Sequence, residues 1–258
     1  MFDLFKRKDN ALTSSHEKQF QPELEKFTRW IAEGKNYSLV RFGDGEMKII
    51  NGVKTDLSHK VHGEHKYSPN NAQDERQRAL LRSALQHQGD NYHVGIACPC
   101  CVGMDNFQAL KDQSKQQESH LTWANIFVNS NFATFKKSTT PTIGAREVTL
   151  VANQAAKPEG LPFKVKKTFA VGSNAWVRDP DKLLTEISNH LDKGPEIDQL
   201  FLFCAGVLSN IAIYELTKRY PQNTYLDLGS VYDVELGLGK TRKYLKKGRT
   251  LKKTCIWA

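Results

Sequence analysis

The chain reads as an α/β protein, a Rossmann-like, mostly parallel sheet flanked by helices in a single domain. Three observations predict this. Segments of strand pattern alternate with segments of helical periodicity along most of the chain. Leu200–Cys204 is a continuous apolar run, as expected of a strand covered on both faces by helices. Three predicted strand ends carry unusual chemistry: Gly43-Asp44-Gly45-Glu46, Cys204-Ala205-Gly206 with Ser209 and Asn210, and Asp227-Leu228-Gly229-Ser230. Open α/β sheets bind their ligands at the carboxyl ends of the strands.

Taken in order, residues 1–20 read as a variable leader, 21–245 as the folded domain and 246–258 as a basic C-terminal tail. Pro22 opens a helix in which Phe20, Leu24, Phe27 and Ile31 recur at helical spacing, and Gly34 stops it. Residues 37–42 form the first strand, and Asp44 and Glu46 fall in the loop after it. A polar, His-rich stretch over 55–71 precedes a charged helix over 74–87 and a strand over 92–98. Residues 104–136 read as helical in pieces, with Trp123, Phe127, Phe132 and Phe135 as apolar anchors for the core. Short strands follow at 147–152 and 168–171. Asp179-Pro180 then opens an amphipathic helix through Leu183, Leu184, Ile187 and Leu191, closed near Gly194. After the strand Leu200–Cys204, Gly206 turns into an apolar helix to about Tyr220, and residues 224–228 are the last strand.

Composition narrows the class. With 258 residues, 39% hydrophobic and 10% aromatic, the chain can bury a sizeable core and is not of disordered composition. Met1-Phe2-Asp3-Leu4-Phe5 runs at once into Lys6-Arg7-Lys8, without the apolar stretch of a signal peptide. The longest apolar-rich run, 200–208, is far short of the ~20 residues that span a bilayer. A soluble, cytoplasmic protein is expected. The formal charge of +9 is concentrated in Lys240, Arg242, Lys243, Lys246, Lys247, Arg249, Lys252 and Lys253, with no acid between them. The rest is nearly neutral, which argues against a chain generally coated by nucleic acid.

The five cysteines include Cys98-Pro99-Cys100-Cys101. Paired C-x₂-C elements or suitably spaced histidines, the usual zinc signature, are missing. An odd count in a leaderless chain also argues against a disulfide scaffold. These residues read as reduced thiols near a strand end, with no metal role. His59, His62 and His65 lack the H-E-x-x-H order of a zinc hydrolase, and read as a polar loop that is either inert or in contact with substrate.

The most informative stretch is Arg41-Phe42-Gly43-Asp44-Gly45-Glu46. Two carboxylates one residue apart suit a hard divalent cation such as Mn²⁺ or Mg²⁺, whose shell a phosphorylated substrate commonly completes. Gly43 and Gly45 let the backbone turn and approach a ligand. A solvated surface turn is the plain alternative. A guanidinium matches phosphate in a bidentate way, so Arg41 and Arg242 are candidates for stabilising a diphosphate. Arg41 serves equally well as a salt bridge orienting Asp44, and Arg242 as one more solvated charge. Gly206, Ser209 and Asn210 lie where the N–H groups of a helix start can face an anion, or where the chain makes a plain tight turn.

That stretch resembles the signature of the GT-D fold glycosyltransferases. Leu226-Asp227-Leu228-Gly229-Ser230-Val231-Tyr232-Asp233, followed by Gly239-Lys240-Thr241-Arg242-Lys243-Tyr244, is similar to a second block of that family. Phe203-Cys204-Ala205-Gly206-Val207-Leu208-Ser209 occupies the place of its preceding strand and turn, with Val207 where proline is often found. Gly172-Ser173-Asn174-Ala175-Trp176 is similar to a shorter Asn-Ala-aromatic element.

The resemblance implies a metal-dependent transfer of sugar from a nucleotide diphosphate sugar, a UDP-sugar above all, to a surface glycan, lipid-linked saccharide or glycoprotein. It implies Mn²⁺ or Mg²⁺ on Asp44 and Glu46, directly or through water. Arg41, Gly43, Gly45, Asn174, Gly206, Ser209, Ser230 and Arg242 become donor-binding candidates. An inverting transfer also needs a base for the acceptor hydroxyl, and Asp233 and Asp227 are the carboxylates near a strand end. Asp233 is favoured, because Asp227 is equally well explained as a structural group bonding backbone N–H. The basic C-terminal segment is expected either to touch an anionic membrane at its cytoplasmic face or simply to be solvated.

Two other classes compete. Leu226-Asp227-Leu228-Gly229-Ser230 mimics the Gly-rich turn of an S-adenosylmethionine-dependent methyltransferase, but that turn should follow the first strand and here it follows the last. A nucleic-acid-binding module fits the net charge, but the basic segment lacks interleaved aromatics and any binding motif.

Overall fold

Seven strands lie parallel in one sheet, and the connections between them place helices along it. The computed structural model describes residues 18–56, 66–178, 180–193, 198–245 and 253–258. The strands are β1 (Ser38–Phe42), β4 (Tyr92–Ile96), β5 (Leu121–Trp123), β6 (Val148–Asn153), β7 (Val165–Val171), β8 (Leu200–Cys204) and β9 (Thr224–Asp227). Their order across the sheet is β5-β4-β1-β9-β8-β6-β7. The short strands β2 (Thr55–Asp56) and β3 (Lys66–Tyr67) form a separate antiparallel pair, Thr55 opposite Tyr67 and Asp56 opposite Lys66. The first and last strands of the large sheet, β1 and β9, are therefore neighbours at its centre.

Burial explains why these residues form strands. Every residue of β4, β8 and β9 is buried, as a parallel sheet covered on both faces requires. At one edge β7 buries only Phe169 and Val171. At the other, β5 is buried throughout, and the carboxy-terminal residues lie against it. The Trp123 indole donates to the Ile256 carbonyl at 2.9 Å, and the Trp123 and Trp257 rings meet at 5.0 Å. The Val207–Arg219 helix packs against β1, β9 and the helices Ala72–Gln86, Ala175–Arg178 and Pro180–Asp192. Its buried residues run continuously from Val207 to Ile213, which matches its apolar sequence.

Several sequence expectations are corrected in detail. The first helix, Phe20–Ala32, begins two residues before the expected Pro22, which a proline in the first turn tolerates. Within 104–136, expected to be helical in pieces, Leu121–Trp123 is the edge strand β5. Three residues are too few to show a period. Asp44 and Glu46 do not lie in a loop: Asp44–Ile50 is a helix that starts directly after β1 and Gly43. Residues 253–258 of the expected tail are packed on the body, with Cys255 and Trp257 buried. Residues 1–17 of the leader, His59, His62, His65, Asp179 and Gly194, and the basic residues Lys246, Lys247, Arg249 and Lys252 lie outside the described residues. No helix among the described residues is long and apolar enough to cross a membrane.

Candidate functional site

The site begins where the two central strands part. The β1–β9 ladder pairs Ser38 with Tyr225 and Leu39 with Leu226 and stops there. Beyond it the Arg41 N–H donates to the Asn210 side-chain oxygen at 3.1 Å, so a side chain from the Val207–Arg219 helix replaces the next rung. The Arg41 guanidinium then closes the gap from its other end. It donates from Nε to the Asp227 carbonyl (2.6 Å), from Nη1 to the Ala124 carbonyl (2.8 Å), and from Nη2 to Asp227 Oδ1 (3.3 Å). Asp227 Oδ1 also accepts from the Gly229 N–H at 2.9 Å. Gly229 sits at φ +54°, and a Cβ there would lie 2.3 Å from Arg41 Nη2, so both conformation and space demand glycine. Of the two sequence readings of Arg41, the ion pair is present, but its partner is Asp227 and not Asp44.

A cavity of about 160 Å³ opens beside this knot, walled by the segments that leave the carboxyl ends of β1, β9, β8, β6 and β7. Glu46, Ser230, Asp233, Gly206, Asn174 and Arg242, all expected from the sequence, line it. Glu46 sits in the first turn of its helix, and its Oε2 reaches back to accept from the Gly43 N–H at 3.0 Å. Residues two apart on a helix do not share a face, so Glu46 enters the cavity wall while Asp44 is exposed. Burial pushes the Glu46 carboxyl above the usual carboxylate range, Asp44 adds to this, and the Gly43 N–H and Arg41 oppose it.

The remaining candidates divide into cavity groups and supports. Asp233 Oδ2 accepts from the Thr241 hydroxyl, and Ser230 Oγ meets the Tyr244 hydroxyl at 2.7 Å. The two halves of the C-terminal block thus hold each other across one wall. Gly206 has φ +58°, and no atom lies within 4 Å of where its Cβ would be, so the backbone is open to a ligand. Ser209 is fully buried, and its hydroxyl accepts from the Ala205 N–H at 3.3 Å, so it braces the turn from behind. Asn174, at φ +54°, accepts from the Lys66 N–H (2.8 Å) and the Trp176 indole (3.1 Å), pinning β3 to the cavity rim.

Arg41, Gly43, Gly45, Ser209 and Asp227 do not line the cavity. Asn153, Trp176, Cys204 and Thr241 do, and sequence reasoning named none of them as a site residue. Asn153 closes β6, so the strand-end rule applied to that strand would have found it. Burial raises the Cys204 thiol, which keeps it neutral and poorly nucleophilic.

No family model matches the chain, and no curated protein sequence does. Two solved structures share its fold. One is described as the selenomethionine-substituted structure of domain of unknown function 1792 (TM-score 0.55, 14% identity). The other description states that this highly conserved domain has a distinct glycosyltransferase fold (TM-score 0.56, 16% identity). Each similarity covers 83% of this chain and 80% of the other. The fold expected from the sequence motifs is therefore the fold observed.

Burial raises the Asp227 carboxyl to about 6, against the pull of Arg41, with Glu46 adding to the rise. An acid whose folded pKa exceeds its ordinary 3.8 contributes fully below that value, and the contribution is lost as pH rises through about 6. Asp227→Asn removes the titration. Between pH 4 and 6, denaturant midpoints of the parent should therefore fall relative to those of the variant, by roughly 2–3 kcal/mol in unfolding free energy. Parallel profiles would show that Asp227 is ionised throughout.

Proposed function

We propose that this chain is a metal-dependent glycosyltransferase that takes sugar from a nucleotide diphosphate sugar, a UDP-sugar by preference, to a glycan, lipid-linked saccharide or glycoprotein acceptor. One observation carries the reading. Glu46, Asp233, Arg242 and the open Gly206 turn line a single cavity at the strand ends of a fold shared with a domain described as a glycosyltransferase fold.

The donor set fits a hard cation. Mg²⁺-like ions are held by one or two carboxylates together with substrate phosphates, and Glu46 lies in the cavity wall with its carboxyl raised by burial. A neighbouring cation returns such a group to its charged form. In this reading Glu46 holds Mn²⁺ or Mg²⁺ directly and the exposed Asp44 holds it through water. The ion, when bound, supplies Lewis-acid neutralisation of the charge developing on the departing diphosphate.

Arg242 pairs with phosphate oxygens, and the Gly206 backbone lets the diphosphate approach closely. Asp233, oriented by the Thr241 hydroxyl, accepts the proton of the acceptor hydroxyl. Arg41 and Asp227 hold the strand ends in place. The methyltransferase alternative loses ground here, because the Asp227 carboxylate is committed to Arg41 and the Gly229 N–H and lies outside the cavity.

Thermal melting with UDP-, GDP- and CMP-sugars, with and without Mn²⁺, tests donor and metal together. A UDP-sugar should raise the midpoint, and only when metal is present; at 100 times Kd, binding adds ~2.7 kcal/mol. A flat response to every nucleotide sugar, or turnover indifferent to chelator, overturns the reading.

Variants separate the roles. Glu46→Ala and Asp44→Ala should each cost ~10–100-fold or more in activity or metal affinity, with the larger loss at Glu46. Asp233→Asn should lower the rate and leave donor affinity intact. An equal loss of donor binding would assign Asp233 to positioning.

Of the five basic residues Lys246, Lys247, Arg249, Lys252 and Lys253 expected to meet an anionic membrane at its cytoplasmic face, Lys253 is turned inward to the Cys100 carbonyl, and the other four are proposed to attach the enzyme, at ~1 kcal/mol each. Neutralising these four should weaken sedimentation with anionic liposomes at low salt and spare transfer to a soluble acceptor. Unchanged liposome binding leaves the segment merely solvated.

A further inference from the structure

We infer that Cys98, Cys100, Cys101 and Cys255 bind one structural zinc ion that clamps the carboxy-terminal segment to the sheet. Their four sulfur atoms lie within 4.8 Å of one another. Three come from a single turn, Cys98 preceding the short helix Pro99–Val102 that holds Cys100 and Cys101. The fourth arrives from the far end of the chain. The sequence showed no second cysteine pair at zinc-finger spacing because Cys255 meets this turn only after folding.

The sulfur arrangement suits a metal and does not suit a disulfide. Cys98 Sγ lies 2.9 Å from Cys100 Sγ and 3.2 Å from Cys101 Sγ, all well beyond a ~2.05 Å S–S bond. All of the cysteines are free. Zinc–sulfur bonds of ~2.3 Å in a tetrahedron place the sulfurs about 3.8 Å apart, so a small outward movement of these side chains admits the ion. Four sulfurs complete the tetrahedron and leave no position for substrate, as in a structural site. None of the four lines the cavity described above.

The surroundings are those of thiolates. Asn125 Nδ2 donates to Cys101 Sγ at 3.3 Å, and Asn129 Nδ2 donates to Cys255 Sγ at 3.2 Å. The Lys253 ammonium lies 3.4 Å from Cys101 Sγ while donating to the Cys100 carbonyl at 2.8 Å. Zn²⁺ with four thiolates carries a net charge of about −2, which one ammonium halves and two amide N–H donors stabilise, as outer partners of metal ligands commonly do.

The clamp has a mechanical purpose. Residues 253–258 cover the β5 edge, where Trp257 packs on Trp123 and Phe107, its indole donates to Glu118, and the Ser130 N–H reaches the Lys253 carbonyl at 3.0 Å.

Elemental analysis of the full chain, purified under reducing conditions and without added metal, should find about one zinc per chain. Replacing zinc with Co²⁺ should give the intense visible absorption of tetrahedral cobalt thiolate. Cys255→Ser should cut zinc content at least ~10-fold, and Glu46→Ala should leave it unchanged, which separates this site from the proposed catalytic metal. If Cys255→Ser does not fold, the parent serves instead: removing zinc with chelator should lower its melting midpoint, and ZnCl₂ should restore it. Less than ~0.1 zinc per chain together with a melting midpoint indifferent to ZnCl₂, iron in place of zinc, or a Cys255 disulfide under reducing conditions would overturn the assignment.

Discussion

The Arg41 guanidinium, half-buried among fixed acceptors at the centre of the sheet, is the constraint on which the rest of the site depends. A cation withdrawn from water needs each of its donors answered, and here the answers come from different parts of the chain. Two are the carbonyl and carboxylate of Asp227 at the end of β9, and one is the carbonyl of Ala124 just after β5. The Phe127 ring lies 5.6 Å from the same group. Once these contacts form, the strand ends cannot slide relative to each other. The chain leaving β1 must enter its helix at Gly43, and the chain leaving β9 must turn at Gly229. The cavity occupies the space left between those two exits.

This arrangement sorts the acidic residues by task. Asp227, the carboxylate closest to the guanidinium, is spent on architecture. Glu46 and Asp233 line the cavity instead, with the Gly43 N–H and the Thr241 hydroxyl respectively among their partners.

The parts of the molecule legible in the sequence are those decided locally. Leu200–Cys204 matched its strand residue for residue, because an unbroken apolar run between turn residues leaves a buried strand little alternative. The Phe20–Ala32 helix showed its face through Phe20, Leu24, Phe27 and Ile31. What escaped was decided by distant partners or by very short segments. Nothing near Arg41 names Asp227, 186 positions away, as its partner. The glycines around Asp44 read as a loop, whereas Glu46 folding back on Gly43 starts a helix and sends the two acids in different directions. β5, at three residues, carries no pattern of its own and is a strand because β4 and the carboxy-terminal aromatics flank it.

The ladder between β2 and β3 stands apart from the main sheet and meets the cavity at its rim. The chain departs at Asp56 and returns opposite it at Lys66, and Asn174 fastens that return point to the cavity rim. The floor of the cavity, locked by the guanidinium knot, and its rim, fastened through Asn174, thus rest on separate sets of contacts, and loosening one need not loosen the other.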